Sequence, residues 1–189
     1  MTLTARQREL RQALRRDFLA EGFENFTIDG AVKRYHCSKS TLYALGNSRD
    51  NIIRAILVDF FKDITTQTKP RLDLPAPQAL EQYFTDIAAA LAPASPQFMR
   101  DCAREDVAQR VYSHNTKGAV ENIRAMLDKG VKHGEFHASS LPFLPHLVQR
   151  AMEDIQRGIY QDTVSSAAAY AAFGELLIRG LTTPEARKI

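Results

Sequence analysis

From Leu10 to Leu177 the apolar residues return every third or fourth position, and nowhere do they alternate over a length that would make a strand. A chain patterned in this way buries one stripe per helix and has to pack helix against helix. The first stripe, residues 4–20, is Leu10, Leu14 and Phe18, widened by Ala13 and Leu19. Its opposite face carries Arg6, Arg8, Arg11, Arg15 and Arg16, and Gly22 stands just past its end as a stop. Phe23, Phe26 and Ile28 supply packing at the junction that follows. A long stripe over residues 49–68 runs through Ile52, Ile53, Ile56, Leu57, Phe60, Phe61 and Ile64, with Ser48 as cap and Pro70, Pro75 and Pro77 beyond its end.

Downstream, Leu80, Tyr83, Phe84, Ile87 and Leu91 form a stripe that residues 93–96 break. Residues 97–114 are expected as one helix with Phe98, Cys102, Val107 and Val111 inside. Val120, Ile123, Met126, Leu127 and Val131 make the next, closed by Gly130 and Gly134. The region of Ser139, Ser140 and Pro142 is expected to start another, over residues 141–160. The last, residues 165–180, is nearly uncharged and rich in alanine. A helix apolar nearly all round needs cover on more than one side, which a second subunit can provide. The expected dimer interface is Leu147, Met152, Ile155, Ile159, Tyr170, Phe173 and Leu177.

Between the first and the long stripe, residues 27–43 read as two short helices joined by a tight turn. Thr27 caps the first, with Ile28, Ala31 and Val32 turned inward. Ser38 caps the second, residues 39–45, whose only firm apolar anchor is Leu42 beside Lys39, Ser40, Thr41 and Tyr43. A helix so polar is a poor core element and a good reading surface. A polar second helix after a short turn is the pattern of the helix-turn-helix, which lays that helix in the DNA major groove. The plainer reading is that Thr27 and Ser38 only cap helices and that Lys39 is a solvated charge.

Charge is placed to match. The net charge is only +3, but residues 1–69 hold 12 Lys and Arg against 8 Asp and Glu, while residues 70–189 hold 13 against 14. The basic excess sits with the two short helices, where phosphate attraction would use it. At 44% hydrophobic, 189 residues can bury a sizeable core. No apolar run approaches the roughly 20 residues that span a bilayer, and the basic N-terminus lacks an apolar signal core, so a cytoplasmic protein is expected. Cys37 and Cys102 are too few for a disulfide framework. His114, His133, His137, His146 and Cys102 lack compact metal-site spacing, so no metal is expected. There is no nucleophile elbow, phosphate loop or paired-carboxylate pattern, hence no enzyme and no cofactor is expected.

Taken together, Gly22-Phe23, Thr27-Ile28-Asp29, Ala31, Ser38 to Tyr43 and Ser48-Arg49-Asp50 before an Ile-rich helix make the sequence resemble the tetracycline-repressor (TetR) family of bacterial transcription regulators. The resemblance covers about residues 6–60, and Gly134-Glu135-Phe136 is similar to a recurring turn of the family. It implies an all-α fold with a helix-turn-helix DNA-binding domain over residues 1–48. Residues 49–189 would form a helical effector-binding and dimerisation domain, with the helix near 49–68 as connector. It implies that Thr27, Ser38, Lys39, Ser40, Thr41, Tyr43 and Arg49 contact double-stranded DNA. It implies a pocket for an unknown small-molecule effector, with Tyr83, Phe84, Phe98, Cys102, Met126 and Met152 as candidate lining, each of which also reads as plain core. The function implied is a ligand-responsive repressor binding a near-palindromic operator as a homodimer. The alternative is a helical ligand-binding or interaction protein whose helix-turn-helix no longer binds specific DNA. The chain departs from the family at His36, where a turn glycine is common, and at Leu45, where an aromatic is usual, with Gly46 next. Gly30 lies inside a short helix, which it weakens by about 1 kcal/mol relative to Ala.

Overall fold

The computed structural model describes residues 3–137 and 143–183, and among them the chain is all-α. The helices are α1 (Ala5–Glu21), α2 (Ile28–Arg34), α3 (Lys39–Tyr43), α4 (Arg49–Gln67), α5 (Ala76–Leu91), α6 (Pro96–Arg104), α7 (Asp106–Lys132), α8 (Leu144–Gln156) and α9 (Ser166–Leu181). Most begin at a hydroxyl. Thr4 forms a reciprocal capping box with Gln7, and Thr27, Ser38, Ser95 and Ser165 each accept a backbone N–H three residues on. Ser48 does the same for Asn51 at 3.2 Å. The β pairing among the described residues is an isolated bridge between Phe136 and Thr182.

Two compact units divide the chain, and neither is a continuous stretch. The first comprises Met1–Asp63 and Pro93–Tyr112. Its core is aromatic: Phe26 packs on Phe18 at 5.1 Å between ring centres, Phe18 on Phe23, Phe23 on Phe98 at 5.7 Å, and Phe98 on Phe60 at 5.3 Å. α6 thereby completes a core that α1 and α4 begin, and the Ser95 amide fastens its start to the Leu19 carbonyl at 2.8 Å. Along α1 and α4 two ion pairs one turn apart, Arg11 with Asp59 and Arg15 with Asp63, flank the same core.

The second unit comprises Ile64–Ala92 and Ser113–Ile189. α5 lies along α9, and α8 packs on α9. The α5–α9 approach is close because position 174 is glycine: a Cβ there would stand 2.5 Å from the Phe84 ring. Thr116 donates to Gln156 at 2.8 Å across α7 and α8, pairing two polar groups that are both buried.

Helix limits differ from expectation in three places. Residues 97–114 are broken at Glu105, which is extended (φ −81°, ψ 125°), and α7 then runs unbroken across residues 114–120. No glycine or proline marks the break; it is made by tertiary partners described below. Gly130 lies within α7, and Gly134, at φ 72°, ends it. α8 stops at Gln156 rather than near residue 160, because Gly158 at φ 71° turns the chain away. Its expected start around Ser139, Ser140 and Pro142 lies outside the described residues.

Candidate nucleic-acid interface

α2 and α3 form a helix-turn-helix whose inner face is held by few side chains. Ala31 and Leu42 are buried, Leu42 completely, while Ser38, Lys39, Ser40 and Tyr43 are exposed and Thr41 is half-buried. Burying one leucine contributes about 1.5–3 kcal/mol, enough to seat a five-residue helix that could not persist alone. The Thr27 hydroxyl accepts from the Gly30 amide at 3.1 Å. That of Ser38 accepts from the Thr41 amide at 3.1 Å and shares hydrogen bonds with the Ser40 and Thr41 hydroxyls at 2.7 and 2.8 Å. In the turn, His36 adopts φ 46°, the left-handed conformation for which glycine was expected. Leu45 stands buried where the aromatic is usual, and Gly46 follows it under a separate constraint. A Cβ at that position would meet the backbone of Asn51 and Ile52 at 2.6 Å, so α4 occupies the space a larger residue would need.

The motif is pinned to α1 by charge. Arg34 grips Glu21 through both terminal nitrogens, at 2.7 and 2.8 Å, and lies 2.9 Å from Asp17. Hydrogen bonding from Arg34 holds the Glu21 carboxyl below its ordinary range. The Tyr35 phenol donates to Asp17 at 2.7 Å, and burial together with that carboxylate pushes the phenol up. Arg6 donates to the Tyr35 carbonyl at 3.1 Å.

Arg49 faces inward. Its Nε donates to the Phe26 carbonyl at 2.8 Å, its Nη2 to the carbonyls of Phe23 and Glu24 at 3.0 Å, and both terminal nitrogens to Glu105 at 2.8 and 2.9 Å. The guanidinium is thus spent on the loop before α2 and on the break between α6 and α7. Beside it, buried Asp101 accepts from the amides of Phe23 at 2.5 Å and Glu24 at 2.9 Å, and from Gln97 Nε2 at 2.6 Å. Asp101 and Glu105 were not among the expected site residues. The signal for Asp101 was present: an aspartate three residues after Phe98, on the stripe that also holds Cys102, is a charge where core is due.

Asp29, also not anticipated, stands on α2 with Oδ1 2.7 Å from Lys39 Nζ. Lys39 holds the Asp29 carboxyl below its ordinary range, first by the hydrogen bond and then by charge.

The six candidate effector-pocket residues fall in different units. Phe98 and Cys102 belong to the first, where burial pushes the Cys102 thiol well up. Tyr83, Phe84, Met126 and Met152 are buried in the second; Tyr83 accepts from Asn122 at 3.1 Å, and Phe84 meets Phe173 edge-on at 5.8 Å. A cleft of about 430 Å³ does exist in the first unit, lined by Asp17, Glu21, Glu24, Arg34, Gln97 and Asp101 among others, and it includes none of the six. Of the expected dimer residues, Leu147 and Ile159 are exposed, Phe173 is half-buried, and Met152, Ile155, Tyr170 and Leu177 are core of the protomer. Phe143, Tyr160 and Leu176 are exposed apolar residues of the same helices and their ends. Among the described residues no group of His, Cys, Asp and Glu could hold a metal ion, and no helix is long and apolar enough to cross a membrane.

No protein-family model matches the sequence, and no curated protein matches it. Solved structures do. PfmR, a TetR-family transcriptional regulator from Thermus thermophilus, superposes with a TM-score of 0.66 over 92% of this chain and 99% of its own, at 18% identity. A TetR-family regulator from Agrobacterium tumefaciens matches 96% of this chain and 100% of its own, with a TM-score of 0.68 and 11% identity. The fold is that of the TetR regulators. A Saccharomonospora viridis protein in complex with choline shares this TetR-type fold, with a TM-score of 0.69 over 94% of this chain and 97% of its own, at 14% identity. Identities this low speak for the TetR fold alone, and the chain spans nearly the full length of each of these structures.

Proposed function

We propose that the protein is a ligand-responsive transcription regulator, most simply a repressor, that binds a near-palindromic DNA operator as a homodimer. The observation that carries this reading is the helix-turn-helix surface. Lys39, Ser40 and Tyr43 project from a helix whose single buried anchor is Leu42. In the bound state Lys39, Ser40 and Thr41 face the major groove, Thr27 and Tyr43 donate to phosphates, and Ser38 keeps its capping role. Arg49 acts as the tie that holds the head together rather than as a phosphate contact, since its donors already have partners. Residues 1–48 supply the DNA contacts and residues 49–189 the effector response and pairing of subunits. Tyr83, Phe84, Met126 and Met152, all buried in the second unit, are the favoured lining of an effector pocket; choline in the S. viridis structure shows that one protein of this fold takes a small molecule. The effector shifts the population toward a head spacing that no longer fits successive major grooves.

Selection of fragments from the source genome, followed by footprinting, tests the proposal. A protected near-palindrome with half-site centres about one helical turn, roughly 34 Å, or a multiple of it apart is expected. Weak binding to any duplex, abolished by moderate salt and leaving no footprint, would overturn it in favour of a helical binding protein that no longer reads DNA.

A further inference from the structure

α3 carries one formal positive charge, Lys39, and the fold sets a carboxylate against it. Asp29 and Lys39 are both largely in water, with side chains 75% and 59% exposed, where solvent and salt screen an ion pair. Lys33 lies close enough to act on Asp29 as well, and Tyr43 close enough to act on Lys39, so the group is a small mixed cluster on the outer face of the motif. The pair stabilises the fold little. It matters for what Lys39 can do. A phosphate on generic duplex has to draw the ammonium away from Asp29 and accept a carboxylate beside a polyanion. A guanine edge offers two acceptors, O6 and N7, aimed into the groove, and lies farther from the phosphates.

We propose that Asp29 is a specificity-determining residue. It withholds Lys39 from backbone phosphate on generic DNA and yields it to a base edge with paired acceptors, guanine above all. This rests on the reading of α2 and α3 as a DNA-binding surface. Asp29 lowers affinity everywhere, but least at a matching site, so it raises the ratio of specific to non-specific binding.

The test uses the full chain as wild type, D29N, K39A and the double variant. Each is titrated over a salt series against a fragment recovered by genomic selection and against poly(dA-dT), which lacks guanine. Releasing Lys39 adds one phosphate contact, so D29N is expected to bind poly(dA-dT) with a salt slope steeper by about 0.9, and about eightfold more tightly at 0.1 M salt relative to the 1 M extrapolation. The selected fragment gains less, so the specificity ratio falls. In the K39A background, Asp29→Asn is expected to change neither slope nor affinity. Unchanged slope and ratio in D29N would overturn the proposal, and so would a full gain that persists without Lys39, which would mark Asp29 as a plain phosphate repellent. Wild type that shows no salt-dependent binding to either duplex would remove the DNA-binding reading itself, and the proposal with it; wild type that footprints while D29N behaves identically removes the proposal alone.

Discussion

Two cysteines in one chain meet opposite surroundings. Cys102 is buried on α6 with its thiol pushed up, and Cys37 is half-buried in the turn between α2 and α3. The thiolate is the reactive form, so access and ionisation both protect Cys102. Iodoacetamide added to the native protein is therefore expected to label Cys37 and spare Cys102, with both labelled in denaturant, as read by peptide mass spectrometry. Single residues also mark where local reading succeeded. Thr27, Ser38 and Ser48 cap the helices their hydroxyls promised, because a cap depends on bonds within three residues. Gly46 shows the opposite. Its small size answers to the backbone of α4 standing against it, a neighbour that local periodicity does not reveal.

At the scale of elements, the break between α6 and α7 is the plainest case of long-range control. Residues 103–107 contain good helix formers and no breaker, so periodicity carries the helix through. The chain instead extends at Glu105, whose carboxylate takes both arms of Arg49 from 56 residues away. Arg49→Lys keeps the charge but loses the fork and the bonds to three carbonyls. It is expected to lower unfolding stability by about 1–3 kcal/mol in urea titration. Asp101→Asn is expected to cost a similar amount, about 1–3 kcal/mol. An amide there cannot accept from two backbone N–H groups and still face Gln97 Nε2 without turning a donor toward a donor, and Gln97 Oε1 is already engaged by Arg100. Thermal melts of the two variants and their combination would reveal whether the ties couple; a loss below the sum of the singles marks them as one unit.

For the whole molecule, helical periodicity sufficed for the fold class, since nearly every stripe became a helix with its apolar side inward. It did not sort buried from paired surfaces. Met152, Ile155, Tyr170 and Leu177 share the spacing of a dimer seam, yet they fill the protomer, and the exposed large apolar residues of α8, α9 and their ends are Phe143, Leu147, Ile159, Tyr160 and Leu176. A stripe declares that a face is covered without naming the cover. The proposed dimer predicts that Leu176→Glu, at a position 70% exposed, sediments as a monomer with unchanged helical circular dichroism. Wild type that is itself a monomer at micromolar concentration would rule the dimer out. The effector pocket was harder still, because core and ligand-binding apolar side chains are chemically the same until a cavity is seen.

The interleaving of the two units bears on how the protein is made. Phe98, Asp101 and Glu105 complete the first unit, yet they follow the whole of α5, which belongs to the second. At translation speeds of about 5–20 residues per second, the 49 residues from Asp63 to Tyr112 take roughly 2–10 s to appear. During that interval α1 to α4 leave the ribosome with Phe23 and Phe60 lacking their partner and Arg49 lacking its carboxylate. The nascent head therefore has to wait for α6, and an N-terminal fragment ending at Asp63 would remain in that unfinished state.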